Sequence, residues 1–290
     1  MHKFLRAIGF SDITKKDLEM ILDEVITRPE IMKITKDSEG NEFAELSGSF
    51  AANAGITVRG TYQEDDSFHM DYYYPYVFGT SITTNEQIDV EKHAEKESYA
   101  GVCDEVNLGV TLIFYIQNVA DYLAETKRHL SKIHYGAMLA GLSTEGKILC
   151  PVVERKKNDV PAIQKNDRHN QLIAQAREGD EDAIESLTLE DMDTYALLSQ
   201  RVMKEDIFSI VKSTFMPFGI ESDQYTVLGE IIDCVTMENK LTHEKLYGMK
   251  LLCNNIQFDV CINEKDLLGE PAIGRRFRGN VWMQGNLCLE

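Results

Sequence analysis

Leu246-Tyr-Gly-Met-Lys-Leu-Leu-Cys-Asn-Asn-Ile-Gln-Phe-Asp-Val-Cys-Ile262 is the stretch that decides the fold class. Apolar side chains alternate with others on both sides of Asn254-Asn255, and an Asn pair readily supplies the left-handed residues of a two-residue hairpin turn. The pattern predicts two strands, Leu246–Asn254 and Gln257–Ile262. Working outward, the period of two returns in Tyr225–Asp233 and Phe277–Leu289. Four strands of this length suit a small antiparallel β domain over residues 221–290, an OB-like barrel or a curled sheet.

Upstream the period lengthens. Over residues 156–220, Leu172, Ile173 and Ala176 make one helical face, Asp180 caps a helix carrying Ala183, Ile184 and Leu187, and Thr188 with Asp191 forms a capping box. This segment is expected to be a helical connector, entered through the charged stretch Glu154–Asp167 with Pro161. Residues 1–155 mix both periods. Thr14 and Asp17 cap a helix whose buried face is Leu18, Ile21, Leu22, Val25 and Ile26, ended by Pro29. Phe43–Phe50, Ile56–Gln63, Phe68–Phe78 and Leu108–Ile116 read as strands, and Gly136–Leu142 with Lys147–Val153 as a hairpin turned at Thr144-Glu145-Gly146. The expected architecture is α+β: an N-terminal mixed α/β domain (1–155), a helical connector (156–220) and a C-terminal β domain (221–290).

Charge narrows the partners. The 290 residues carry 30 basic and 48 acidic side chains, a net charge of −18, which repels nucleic acid and anionic lipid. The longest apolar run, near Val110–Ile116, is far short of the roughly 20 residues a membrane span needs. The opening ten residues lack the apolar core of a signal peptide, and six singly spaced cysteines form no C-x-x-C pair. The expected address is the cytoplasm, with reduced thiols and no membrane association.

Gly269-Glu-Pro-Ala-Ile-Gly-Arg-Arg-Phe-Arg-Gly-Asn-Val-Trp-Met-Gln-Gly285 resembles the C-terminal signature of a bacterial family of domains of unknown function. Met1-His-Lys-Phe-Leu-Arg-Ala-Ile-Gly-Phe10 and Gly101-Val-Cys-Asp-Glu105 are similar to the same family, so the likeness spans essentially the whole chain. It implies no assigned activity, cofactor or catalytic residue.

Candidate contact residues come from two places. Arg275, Arg276 and Arg278 form the densest basic cluster, with Trp282, the only tryptophan, just beyond. Arginine forks match carboxylate or phosphate, and Phe277 with Trp282 offers stacking surface for a single strand. Against that, residues 221–290 hold 7 basic and 11 acidic side chains, a net charge of −4, and paired arginines beside core aromatics explain the same pattern. The run Tyr72-Tyr-Tyr74-Pro-Tyr76 offers amphipathic contact area through Tyr72 and Tyr74, or sheet packing. His69, Asp71, Glu91, His93 and Glu95 are residue types of a metal site without a metal motif, and acidic neighbours work against Cys103 as a nucleophile. No Walker loop, G-x-S-x-G or strand-to-helix G-x-G-x-x-G is present. The leading expectation is a non-catalytic binding or interaction protein with no cofactor and no metal. Its partner is an unidentified protein or a small anionic ligand, or a second copy of the chain. A hydrolase of unfamiliar type built on His69, Asp71 and His93 is one rival, and single-stranded nucleic-acid binding by the C-terminal domain is another.

Overall fold

Backbone pairing reaches farther along the chain than local periodicity shows. The computed structural model describes residues 1–92, 97–128, 136–152, 211–220 and 222–289, with positions 172, 175, 180, 182, 183 and 185–188 between. A 3₁₀ turn (Lys3–Ile8) and helix α1 (Lys15–Thr27) precede strands β1 (Ile31–Lys36), β2 (Glu42–Ala51), β3 (Ala54–Tyr62) and β4 (Phe68–Val77). Next come β5 (Asp89–Lys92), β6 (Tyr99–Glu105), β7 (Val110–Ile116), helix α2 (Val119–Arg128) and the long β8 (Gly136–Leu149). The last strands are β9 (Thr214–Pro217), β10 (Gln224–Glu238), β11 (Lys245–Cys253), β12 (Ile256–Asn263), the two-residue β13 (Leu267–Leu268) and β14 (Arg276–Cys288).

Local signals hold where the chemistry is local. The Thr14 hydroxyl accepts from the Asp17 amide at 3.2 Å and donates to its carboxylate at 2.6 Å, and α1 buries Leu18, Leu22 and Val25. Asn254 and Asn255 both take left-handed conformations, φ 46° and 67°, in the hairpin between β11 and β12. Asp180 accepts from the amides of Asp182 and Ala183, as a cap does.

The α+β expectation is corrected. The described residues are mostly β, 52% strand against 17% helix, built as a five-strand closed barrel within a ten-stranded sheet, beside a four-stranded sheet. The C-terminal strands close only by recruiting β8 from the N-terminal half: β12 pairs it in parallel and β14 antiparallel. No purely antiparallel C-terminal barrel therefore exists. The hairpin expected at Thr144-Glu145-Gly146 is instead continuous strand with a bulge, where the Ser143 hydroxyl donates to the Glu145 and Asn280 carbonyls at 2.8 Å each. Most of the expected helical connector, including Pro161 and Thr188 with Asp191 as a pair, lies outside the described residues. At the end of the expected connector (156–220), Thr214–Pro217 is strand and not helix. By their contacts residues 1–150 and 213–290 form one unit and 151–212 another.

Within the first unit, Phe114, Met249, Phe258 and Phe277 belong to the core of the larger sheet. The β1–β4 meander is buried on both sides over β2 and β3. Leu46, Ile56 and Val58 join α1 in a second core, while the alternate residues turn toward α2 and β7. Among the described residues no helix is long and apolar enough to cross a membrane.

Candidate functional site

Alternation in β2 (Ala44-Glu-Leu-Ser47) and β3 (Ile56-Thr-Val-Arg59) sends one apolar face to α1 and one polar face the other way. Antiparallel register aligns that polar face in two rows. Lys33, Glu45, Arg59 and Tyr72 form one, and Ile31, Ser47, Thr57 and Tyr74 the other. A bulge at Arg59/Gly60 sets Arg59 opposite Tyr72, and it needs glycine: a Cβ on Gly60 would lie 2.0 Å from the His69 carbonyl oxygen.

Arg59 is wholly buried, and it is saturated. Its Nε donates to Glu45 Oε1 at 2.7 Å, Nη1 to the hydroxyls of Tyr72 and Tyr115 at 2.9 and 2.7 Å, and Nη2 to Tyr74 at 3.1 Å. Nη2 also reaches the carbonyls of Ile116 and Gln117 at 3.0 and 2.8 Å. The rings of Tyr74, Tyr115 and Tyr72 stand 4.9, 5.3 and 5.8 Å from the guanidinium carbon, adding cation–π attraction in a desolvated setting. Burial, before any neighbouring charge, raises the phenols of Tyr74 and Tyr115 above their ordinary value, so both stay neutral. Glu45 is spent as well, because its Oε2 accepts from the Ala120 amide at the start of α2 at 2.8 Å. The ensemble locks α2 and the end of β7 onto the four-stranded sheet.

Beside this lock lies a cleft of about 330 Å³ within the first unit, inside the size range of ordinary small-molecule sites. Ile31, Phe78, Met138 and Leu287 give it apolar surface. Lys33 and Asp121, an ion pair at 2.5 Å whose side chains are 41% and 36% exposed, stand where solvent reaches them. Ser47, Thr57, Gln117 and Asn286 contribute the neutral polar groups.

The residues singled out from sequence are dispersed. Tyr72 and Tyr74 belong to the Arg59 cage. Trp282 is buried, its indole N–H donating to Asp223 at 2.7 Å and its ring stacked on Phe4. Arg276 is buried and donates to the Cys150 carbonyl at 2.9 Å, and Arg275, on the surface, donates to the Glu270 carbonyl at 2.6 Å. Arg278 is exposed in a shallow groove of about 380 Å³ with Lys147, its register partner on β8, and with Glu145, Asn280 and Phe218. His69, Asp71 and Glu91 are exposed, His93 and Glu95 lie outside the described residues, and no described group of three or more His, Cys, Asp or Glu could hold a metal. Burial first, then Glu105, Glu86 and Asp104, pushes the Cys103 thiol up to about 12. Sequence reading passed over Glu45 and Arg59. Their signal was present: opposite charges on the polar sides of two strands otherwise rich in apolar residues.

A family model described as "Domain of unknown function, E. rectale Gene description (DUF3881)" matches residues 5–285. No curated protein and no solved structure matches the chain.

Proposed function

Because the chain belongs to the DUF3881 family, which carries no assigned activity, we propose a function from its own geometry: a non-catalytic, cytoplasmic binding protein that seats a small polar molecule in the cleft between α2 and the polar face of the β1–β4 sheet. The cleft itself is the observation that carries this reading. A rigid wall fixed by Arg59 means that little ordering is lost when a ligand enters, which favours affinity. The polar groups nearest the lock are committed to structural hydrogen bonds, an arrangement that suits binding better than proton transfer. Six free cysteines support the cytoplasmic placement.

The test is a panel of small amines, polyols, amino acids and carboxylates followed by amide chemical shifts of the full chain. Shifts concentrated at Lys33, Ser47, Asp121 and Asn286, lost in Asn286→Trp, which fills the cleft, are expected. A panel that leaves those amides unmoved refutes the reading. The groove of Lys147 and Arg278 supports a second reading, a small anion held between two cations that face one another across β8 and β14.

A further inference from the structure

Among the described residues, five strands have another strand on one side alone: β1 and β4 of the smaller sheet, β5 and β13 at the ends of the larger one, and β9 beside β10. An open edge is a row of unpaired N–H and C=O groups, and proteins blunt it with short strands, charges, proline or bulges. Four of the five are blunted. β13 has two residues, and β9 has four, the last of them Pro217. β5 is four residues long and carries Asp89, Glu91 and Lys92. β4 contains Asp71 and Pro75 and meets β3 through the bulge at Arg59/Gly60. β1 is the exception. Its six residues, Ile31-Met-Lys-Ile-Thr-Lys36, pair β2 in unbroken register, and Ile31, Met32 and Ile34 are 40%, 50% and 44% exposed. Of its two charges, Lys33 is drawn to Asp121 of α2, and Lys36 stands at the end of the strand, where Lys127 donates to its carbonyl at 2.5 Å. Met32 and Ile34 lie on the face of the sheet that meets α1, but α1 packs chiefly on β2 and β3.

We propose that a second copy of the chain pairs with this edge, β1 against β1 antiparallel, about a twofold axis through Ile34. The strand's own charge pattern selects this occupant and this register. A joining strand must continue both faces of the sheet, so the axis passes through a residue of β1 and opposed residues share a face. An axis through Lys33 would set two lysines directly opposite one another, which is destabilising. One through Met32 would carry the seam onto Pro29, which has no N–H to donate. One through Thr35 would leave the exposed Ile31 and Met32 outside the seam. With the axis at Ile34, that residue opposes its copy, Met32 opposes Lys36 and Lys33 opposes Thr35. No like charges meet, and the aliphatic stem of Lys36 can lie along Met32. β1 contains no acidic residue, and at physiological salt the rest of the negative charge is screened beyond about 8 Å. An isologous seam also closes two open edges at once. A stable interface buries about 800 Å² per partner, more than two six-residue strands provide, so the pairing is weak and grows with concentration.

The experiment is sedimentation of the full chain from about 10 μM to 1 mM, a range suited to a weak contact, and it should show a monomer–dimer equilibrium. Two acidic substitutions two residues apart should then act in opposite directions. Ile34→Glu sets carboxylate against carboxylate on the axis and should raise the dissociation constant about tenfold or more. Met32→Glu sets a carboxylate against the partner copy's lysine at position 36 and should leave the dimer as tight or tighter. A merely adhesive apolar edge would lose affinity in both variants alike, and that result overturns the register and the proposal with it. So does a dimer that survives Ile34→Glu, or a parent chain that stays monomeric throughout. A monomeric parent whose β1 amides shift on adding a peptide of alternating valine and glutamate assigns the edge to a strand of another protein and equally overturns self-pairing. Both substitutions sit at exposed positions, and circular dichroism of each variant confirms folding before sedimentation.

Discussion

Arg59 and the arginine cluster at Arg275, Arg276 and Arg278 place the same side chain in opposite circumstances. Around Arg59 the strands pair so that a carboxylate, three phenols and two carbonyls converge on one guanidinium from which water is excluded. At the cluster the arginines are consecutive or nearly so, yet they meet different surroundings: Arg276 is buried against a carbonyl, while Arg278, on the same face of β14, faces solvent. Density in sequence produced no shared site, whereas residues far apart in sequence built one. Position in the register, more than local abundance, decides whether a charge organises structure.

The sharpest way to break this contrast is Arg59→Met. It leaves Glu45 buried and uncompensated, and removing one partner of a buried pair costs about 3–5 kcal/mol. Urea denaturation should show a loss of that order. Glu45→Leu combined with Arg59→Met should recover part of it, because the orphaned charge is gone. A single Arg59→Met variant as stable as the parent would mean that the cage carries no net energy.

A smaller effect is expected at the rim of the same network, where the Tyr72 hydroxyl donates to the Glu97 carbonyl at 2.8 Å. Burial alone would raise the Glu97 carboxyl, but hydrogen bonds from Lys92, Ser38 and Tyr99 outweigh it and hold it at about 2. The folded value lies below the ordinary one of about 4.3. The stabilisation is therefore complete above that pH and is lost as pH falls toward 2. Glu97→Gln should cost about 1 kcal/mol at pH 7, since partly solvated pairs are screened, and nothing near pH 2. Equal losses at both pH values would assign the effect to packing instead.

The amount legible in the sequence follows from the same distinction. The α1 cap, the Asn254-Asn255 turn and the strands β2, β3 and β4 rest on residues within one element or one hairpin, and their patterns were readable. The closure of the barrel was not, because β8 shows an ordinary apolar run with a turn-like Thr144-Glu145-Gly146. Only its pairing with β12 and β14 keeps it straight through that point. Of the candidate site, Tyr72 and Tyr74 were visible as a run of rings. Arg59, Glu45, Ser47 and Thr57 become visible once β2, β3 and β4 are laid in register. Gln117 and Asp121 arrive from beyond the meander, and no local pattern announces them.

Chemical reactivity should repeat the contrast between buried and exposed copies of one side chain. Burial pushes the thiols of Cys253 and Cys261 up to about 12, whereas Cys150 is exposed. Brief iodoacetamide treatment at neutral pH, read by mass spectrometry, should label Cys150 first and spare Cys253 and Cys261 until denaturant is added. Early labelling of Cys261 would show that the barrel opens readily.

The smallest expected effect belongs to the cluster. Arg278→Ala removes an exposed side chain, and such changes stay within about 0.5 kcal/mol. The same exposure makes Arg278 the cluster's best candidate for an anion, so its binding should be asked separately from its stability. Arg276 is committed to the Cys150 carbonyl and Arg275 is tied to the Glu270 carbonyl. Arg278 and Lys147 line one groove, with Glu145 on the same wall. Phosphate-driven binding gains from each neutralised phosphate through counterion release and weakens steeply with salt. Two cations beside a carboxylate supply too little of that gain to survive at about 150 mM salt, where the Debye length is about 8 Å and the rest of the chain adds no attraction. Fluorescence anisotropy with single-stranded DNA and RNA in that buffer should show no saturable binding, for the parent and for Arg278→Ala alike. Submicromolar binding that disappears in Arg278→Ala would reverse the comparison and make the exposed arginine the functional one.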